Sequence, residues 1–410
     1  MTQAYDLVII GGGIAGSALA ATMARAGRSV LVLEASTVFA DRVRGEWIAP
    51  WGVAETRRLG LYDLLVGAGG HHLTRHATFD ETVPPDEIEE LPLSMFVQGV
   101  PGPLCIGHPR HCQTLFDAAG AAGADMRRGV EVGALTFGAT PCVTFTHAGD
   151  TQSVNARLIV GADGRASGVR EAAGVALHQD QPHHMFAGLL VDGVPEWDDD
   201  LQAIGTEGDF AFLTFPQGQA RARIYGSFSL DQRRRFAGPK GPRAFLDAFR
   251  MPSAPKNRAI AAGRPAGPLL AYFNHDSWTD QPYAQGVVLI GDAAGWNDPI
   301  IGLGLSISYR DVRMVADILT ANANWNADIF EAYGQERAER MRRLRFAAAL
   351  TATLEAEFGA VARERRARYH ARAKADPMLG ARVFAIMAGP ETLPPEMFTA
   401  EHRAHVLGDA

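Results

Sequence analysis

Three glycine-and-acid clusters lie far apart in this chain: Gly11-Gly12-Gly13-Ile14-Ala15-Gly16, Gly161-Ala162-Asp163-Gly164 and Gly291-Asp292-Ala293-Ala294-Gly295. One such cluster is compatible with an ordinary turn. Three, in this order, predict that distant stretches of chain converge on one long, anionic ligand.

The first cluster carries the strongest local chemistry. An apolar run over residues 5–10 suits a buried parallel strand, and glycines follow it at once. Residues 14–25 then read as a helix rich in alanine and leucine, and a second apolar run over 29–33 ends at Glu34. In this strand–turn–helix–strand–acid pattern Gly11 permits the tight turn, Gly13 lets a pyrophosphate approach the backbone, and Gly16 lets helix and strand pack closely. The amides of Ile14 and Ala15 open the helix, where free N–H groups and the dipole favour phosphate charge. Glu34 stands where the fingerprint places the ribose-binding acid. The pattern suits NAD and FAD alike, and the acid disfavours a 2′-phosphate in this pocket.

At 410 residues the chain has room for two or three domains. A formal net charge of −7 gives no general attraction to nucleic acid. Arginines crowd the C-terminal third, among them Arg337, Arg340, Arg363 and Arg366, with acids interspersed; they read as a solvated helix face. Cys105, Cys112 and Cys142 are odd in number and form no Cys-x-x-Cys pair, which argues against a disulfide framework or structural zinc and fits a reducing cytoplasm. The apolar stretch over 8–23 is broken by glycines and lacks a basic leader, so it reads as fold rather than a secretion signal. No uninterrupted apolar run reaches the length of a membrane span. His71, His72, His76, His183 and His184 form no supported ligand set and read as solvated loops, with no metal site.

Along the chain, residues 51–66 have helical periodicity, and 75–107 mix short strand-like runs with prolines. A helix is expected from 109, and a strand meander feeds the second cluster. Residues 180–275 are the most β-like, with strands at 185–191, 210–215 and 220–228 and a helix at 242–249. Residues 286–290 return as a buried strand into the third cluster, and 305–320 and 329–371 are mainly helical. The expected architecture is an α/β Rossmann-like dinucleotide domain, discontinuous over 1–75, 100–178 and 280–325. A mixed or antiparallel β-sheet substrate domain is inserted at 76–99 and 179–279. The C-terminal helical region, 326–410, closes the pocket or pairs two subunits as a homodimer.

The third cluster continues as Pro299, Gly302-Leu303-Gly304-Leu305-Ser306 and Asp311. With these residues the chain resembles the FAD-dependent aromatic hydroxylases, the para-hydroxybenzoate hydroxylase-like group A flavoprotein monooxygenases, over roughly residues 5–325. The resemblance implies FAD in a glutathione-reductase-type domain. It places Asp292 on the ribityl chain and Pro299, Gly302, Gly304 and Leu305 beside the isoalloxazine ring. A helix starting there would stabilise the negative charge of reduced flavin. The second cluster matches the family's Asp-Gly motif, so Asp163 is either a cofactor contact or the cap of the helix that follows. Arg110 matches the family's cofactor-contacting arginine, and Arg44 lies in the loop after the ribose-binding acid; guanidinium groups suit pyrophosphate. Two departures are Gly295, where many relatives have His, and Ser306, where many have Asn.

By the same resemblance, NAD(P)H reduces the flavin as a transient co-substrate. O2 then adds to form a flavin hydroperoxide, and one oxygen passes to an aromatic or polycyclic small molecule. The chain has no second nucleotide fingerprint, which agrees with transient donor docking or with a separate flavin reductase. No catalytic side chain is assigned. Trp47, Phe212 and Phe215 are candidate substrate walls, and Arg223 and Tyr225 share one strand face. Two alternatives use the same fold. A halogenase usually carries Trp-x-Trp-x-Ile-Pro, which is missing here, and a reductase of prenyl double bonds matches the Gly45-Glu46 pair. A binding protein without activity would have little need of the Pro299–Gly304 segment.

Overall fold

A computed structural model describes residues 4–408. Its first sheet is ordered 283–284, 287–289, 150–161, 4–10, 30–34, 125–128. The four contacts from 287–289 across to 125–128 are parallel. Val30–Glu34 is buried throughout, as expected of a parallel strand covered on both faces. Helices Ile14–Arg25, His108–Ala121 and Gly304–Ala321 lie on one side. The meander Glu131–Thr136, Cys142–His147 and the first half of Asp150–Gly161 folds back over the other.

The second sheet is ordered 264–265, 184–192, 221–228, 210–218, 201–207, 75–80, 91–92, and 270–274 also pairs with 184–192. It is antiparallel apart from 201–207 against 75–80. Alternation along its strands gives two faces. Phe210 and Phe212 pack on Phe245 and Phe249 from the outer helical layer. Leu213, Phe215, Tyr225 and Phe186 point the other way, toward the first sheet.

The helix expected at 51–66 is two helices, Pro50–Arg58 and Tyr62–Gly67, because Gly60 at φ +64° turns the chain between them. The C-terminal arginines also depart from expectation. Arg337 and Arg340 are buried and paired with the fully buried Asp311, and Arg366 is buried against Asp80. The helices Glu331–Glu355 and Ala360–Ala373 therefore turn these charges inward, each onto an acid contributed by another element.

Candidate functional site

The three clusters meet. Gly11 has φ +101°, and a Cβ there would lie 2.3 Å from the Ala162 carbonyl oxygen, so the first and second clusters touch backbone to backbone. At Gly16 a Cβ would run into the Gly11 carbonyl. Gly13 has nothing within 4 Å of its Cβ direction, leaving its backbone open to a ligand. Glu34 accepts from the Gly12 and Ser36 amides at 2.7 and 2.8 Å, which fixes its carboxylate on the cavity wall.

Around these groups lies a cavity of about 970 Å³. Gly11, Gly13, Ile14, Ala15 and Glu34 line it, as do Arg44, Asp163 and Asp292. Pro299, Gly302, Gly304 and Leu305 line it toward the second sheet, where Trp47, Phe186, Leu213, Phe215 and Tyr225 form an aromatic wall. Phe186 stacks on Tyr225 with centroids 5.2 Å apart, and Trp47 meets Phe215 at 5.8 Å. The Gly304–Ala321 helix opens at the cavity, aiming its N-terminal dipole inward.

Two cations line the cavity beside these acids. Arg165 Nε lies 3.3 Å from Asp292 Oδ2, and Arg44 stands over the Tyr272 ring at 5.5 Å. Burial, reinforced by Arg165, pushes the Arg44 guanidinium below its usual pKa, a cost that an anionic ligand relieves. Ser167 is the N-cap of the 168–172 helix, and Asp163, on the cavity wall, accepts from Ser167 Oγ at 2.5 Å and from the Val169 amide at 3.1 Å, bracing that cap.

Three expected site residues lie elsewhere. Arg110 is exposed, with its guanidinium near Gly69. It stands two residues, about 200° of helix, from His108, and His108 takes the cavity position on that helix. Phe212 faces the outer core, since it is three residues from Phe215 and a strand alternates. Arg223 is 1% exposed and does not line the cavity; Glu46 and Asp41 hold it. His76 and His184 are likewise buried rather than on solvated loops.

Further cavity residues left no mark in the sequence reading. Burial depresses the His108 pKa to about 4, leaving a neutral ring against Cys112 and Gly45. Its spacing of four from Cys112, which shares its face, is the one available sequence signal. Asp298 is buried on the wall beside Pro299, with His183 Nε2 at 2.8 Å and His184 Nε2 at 3.5 Å. These three offer ligating atoms within 4.8 Å of one another. Asp276 accepts from the Asn297 side chain and the Asp298 amide, and burial raises its pKa to about 7.

Both departures from the family pattern have local causes. A Cβ at Gly295 would lie 2.6 Å from the Ser277 carbonyl oxygen, so no larger residue fits there. Ser306 accepts from the Ala49 amide at 3.0 Å, tying the start of its helix to the Trp47 segment.

An open glycine backbone at a helix start, a ribose-type acid, two cavity-lining cations and an aromatic wall on the same cavity define a dinucleotide-binding flavoprotein. Residues 4–347 match the FAD binding domain family, and the chain belongs to it. FAD is its cofactor, and it is an FAD-dependent oxidoreductase. The chain is 29% identical over 367 residues to digeranylgeranylglycerophospholipid reductase 1 of Methanococcoides burtonii, covering 83% of this chain and 80% of that one. It is 27% identical over 350 residues to a squalene epoxidase of Aspergillus fumigatus, covering 77% of this chain and 66% of the relative. Its fold matches that of p-nitrophenol 4-monooxygenase from Pseudomonas putida with a TM-score of 0.79 at 18% identity, covering 95% and 99% of the two chains. Among the described residues no helix is long and apolar enough to cross a membrane.

Proposed function

We propose that this enzyme is a monooxygenase that uses NAD(P)H and O2 to hydroxylate an aromatic or polycyclic small molecule bound against the aromatic wall. When bound, FAD supplies the electron transfer and oxygen activation that no side chain provides. The observation that carries the reading is the juxtaposition of Trp47, Phe215 and Tyr225 with the Pro299–Gly304 segment, across one cavity. The wall excludes water and offers ring faces for stacking a planar substrate. On this reading Gly13, Glu34, Arg44 and Asp292, which all line the cavity, hold the dinucleotide, and the helix that begins at Gly304 favours negative charge at the ring. Neutral His108, which also lines the cavity, adds no competing charge. The test is NADH and NADPH oxidation by the FAD-loaded protein in air. The reading expects acceleration by a phenolic or polycyclic compound and a product heavier by one oxygen atom.

The relative from Methanococcoides supports a second reading, reduction of prenyl double bonds at the same site. That reaction needs no O2, so alkene saturation under anaerobic conditions would select it.

A further inference from the structure

Behind the aromatic wall lies a second chamber of about 260 Å³. It shares Trp47, Leu213, Phe215 and Gly302 with the flavin cavity, so these residues form a partition with space on both sides. The far walls come from the second sheet and from the C-terminal helices. Ile204, Ile300, Ile386 and Met387 make much of its surface apolar.

The partition is held in place from the chamber side. Trp47 Nε1 donates to Gln202 Oε1 at 2.9 Å, Gln202 Nε2 meets His76 Nδ1 at 3.1 Å, and His76 Nε2 meets Thr78 Oγ1 at 3.0 Å. The charged groups around the chamber are paired among themselves. Arg366 Nε lies 2.8 Å from Asp80 Oδ2 as an ion pair and its Nη2 bonds Glu81 at 2.7 Å; Arg382 bonds Glu355 at 3.0 Å and the Tyr369 hydroxyl at 2.6 Å. His370 lies 3.8 Å from the same Asp80. Among the described residues, both arginines of this wall are already charge-paired with carboxylates, so neither offers an anionic ligand an unneutralised cation. Two buried polar atoms of its lining have no hydrogen-bond partner among the described residues: Arg366 Nε, which faces Asp80 as an ion pair, and the hydroxyl of Thr351, which faces no charge partner.

We propose that this chamber receives the neutral, apolar far end of an extended substrate whose reacting carbon lies on the flavin side of Trp47, with Thr351 Oγ1 bonding a hydroxyl or carbonyl at that end. Burying such an end removes apolar surface from water. A charged end would be desolvated with no partner, at a cost that selects against it. A buried hydroxyl without a partner also favours a ligand that supplies one. This assignment rests on reading the large cavity as the flavin site.

The FAD-loaded protein is titrated with 4,4′-dihydroxybiphenyl, 4-phenylphenol and 4-hydroxybenzoate, and binding is read from the flavin visible spectrum, without turnover. The two neutral biphenyls are expected to bind, and the carboxylate at least ten times more weakly. Thr351→Val should weaken 4,4′-dihydroxybiphenyl by roughly 2- to 10-fold, the range of one neutral hydrogen bond, and leave 4-phenylphenol unchanged. Ile386→Trp, with Ile204→Phe as the second filling variant, should abolish biphenyl binding while FAD content stays the same. Equal binding of 4-hydroxybenzoate, no spectral change with either biphenyl, or unchanged biphenyl binding in both filled variants overturns the proposal. Because the readout is binding, it stands or falls apart from the reaction. Saturation of an alkene would sink the hydroxylase reading alone, and hydroxylation of 4-phenylphenol undisturbed in both filled variants would sink the chamber alone.

Discussion

Glu46 grips Arg223 at two points, Oε1 to Nη2 at 2.9 Å and Oε2 to Nε, while Asp41 takes Nη2 from the other side at 2.8 Å. The arginine belongs to the second sheet and both acids to the loop that carries Arg44 and Trp47, so the ion pair sets that loop against the aromatic wall. Arg223→Ala would leave two acids facing a buried gap. It should cost about 3–5 kcal/mol of stability, the usual penalty for breaking a buried pair from one side. Denaturant unfolding checks this, and a loss below about 1 kcal/mol would contradict the buried clamp.

Gly302 lies beneath the Trp47 ring. Its φ is +68°, and a Cβ there would lie 3.1 Å from Trp47 Cε3. Gly302→Ala therefore combines left-handed backbone strain of about 1–2 kcal/mol with a push on the indole. The expected result is a lower melting temperature together with a shifted visible spectrum of the bound flavin. An unchanged spectrum would mean that the indole is not pressed against the flavin region.

Arg44 and Arg110 should behave differently although both are arginines near the cofactor motifs. Arg44 lines the cavity and Arg110 is exposed. Arg44→Ala is expected to lower FAD affinity by roughly 10-fold or more, the scale of a charge-assisted hydrogen bond. Arg110→Ala should leave it unchanged. FAD titration of apoprotein from both variants decides, and the reverse ranking would restore the sequence-based assignment.

This pair shows where sequence reasoning stopped. The three clusters, their order and the acid at Glu34 were legible because each demands a backbone conformation or charge that few residues supply. Arg110, Phe212 and Arg223 were misplaced for lack of phase and partners. One residue of error around a helix carries a side chain 100° away, and one along a strand turns it to the opposite face. Nothing in the residues around Arg223 announces that Asp41 and Glu46 will claim it. The inward-facing arginines at 337, 340 and 366 were missed for the same reason, since Asp311 and Asp80 come from remote elements.

Asp276 should leave a mark on the pH dependence of stability. Burial raises its carboxyl from the usual 3.8 to about 7, with Asp298 as a neighbouring like charge. The folded state thus holds a proton that the unfolded chain releases. Its contribution is fully present below pH 3.8, declines as pH rises, and is lost by pH 7. His183, raised by its bond to Asp298, acts in the same direction above the ordinary histidine pKa. Asp298, held low by His183 and His184 against the cost of burial, acts oppositely, and its contribution is lost in acid. Asp276→Asn should therefore flatten the decline in melting temperature between pH 5 and 7. An identical decline in both proteins would contradict the raised carboxyl.

Isotope labelling tests the proposed chemistry most directly. The FAD-loaded enzyme, given NAD(P)H and an accepted aromatic substrate under an atmosphere of ¹⁸O2, is expected to release a product carrying one ¹⁸O atom. A product with no label from the gas, or an alkene saturated at full rate without O2, would contradict the hydroxylase assignment.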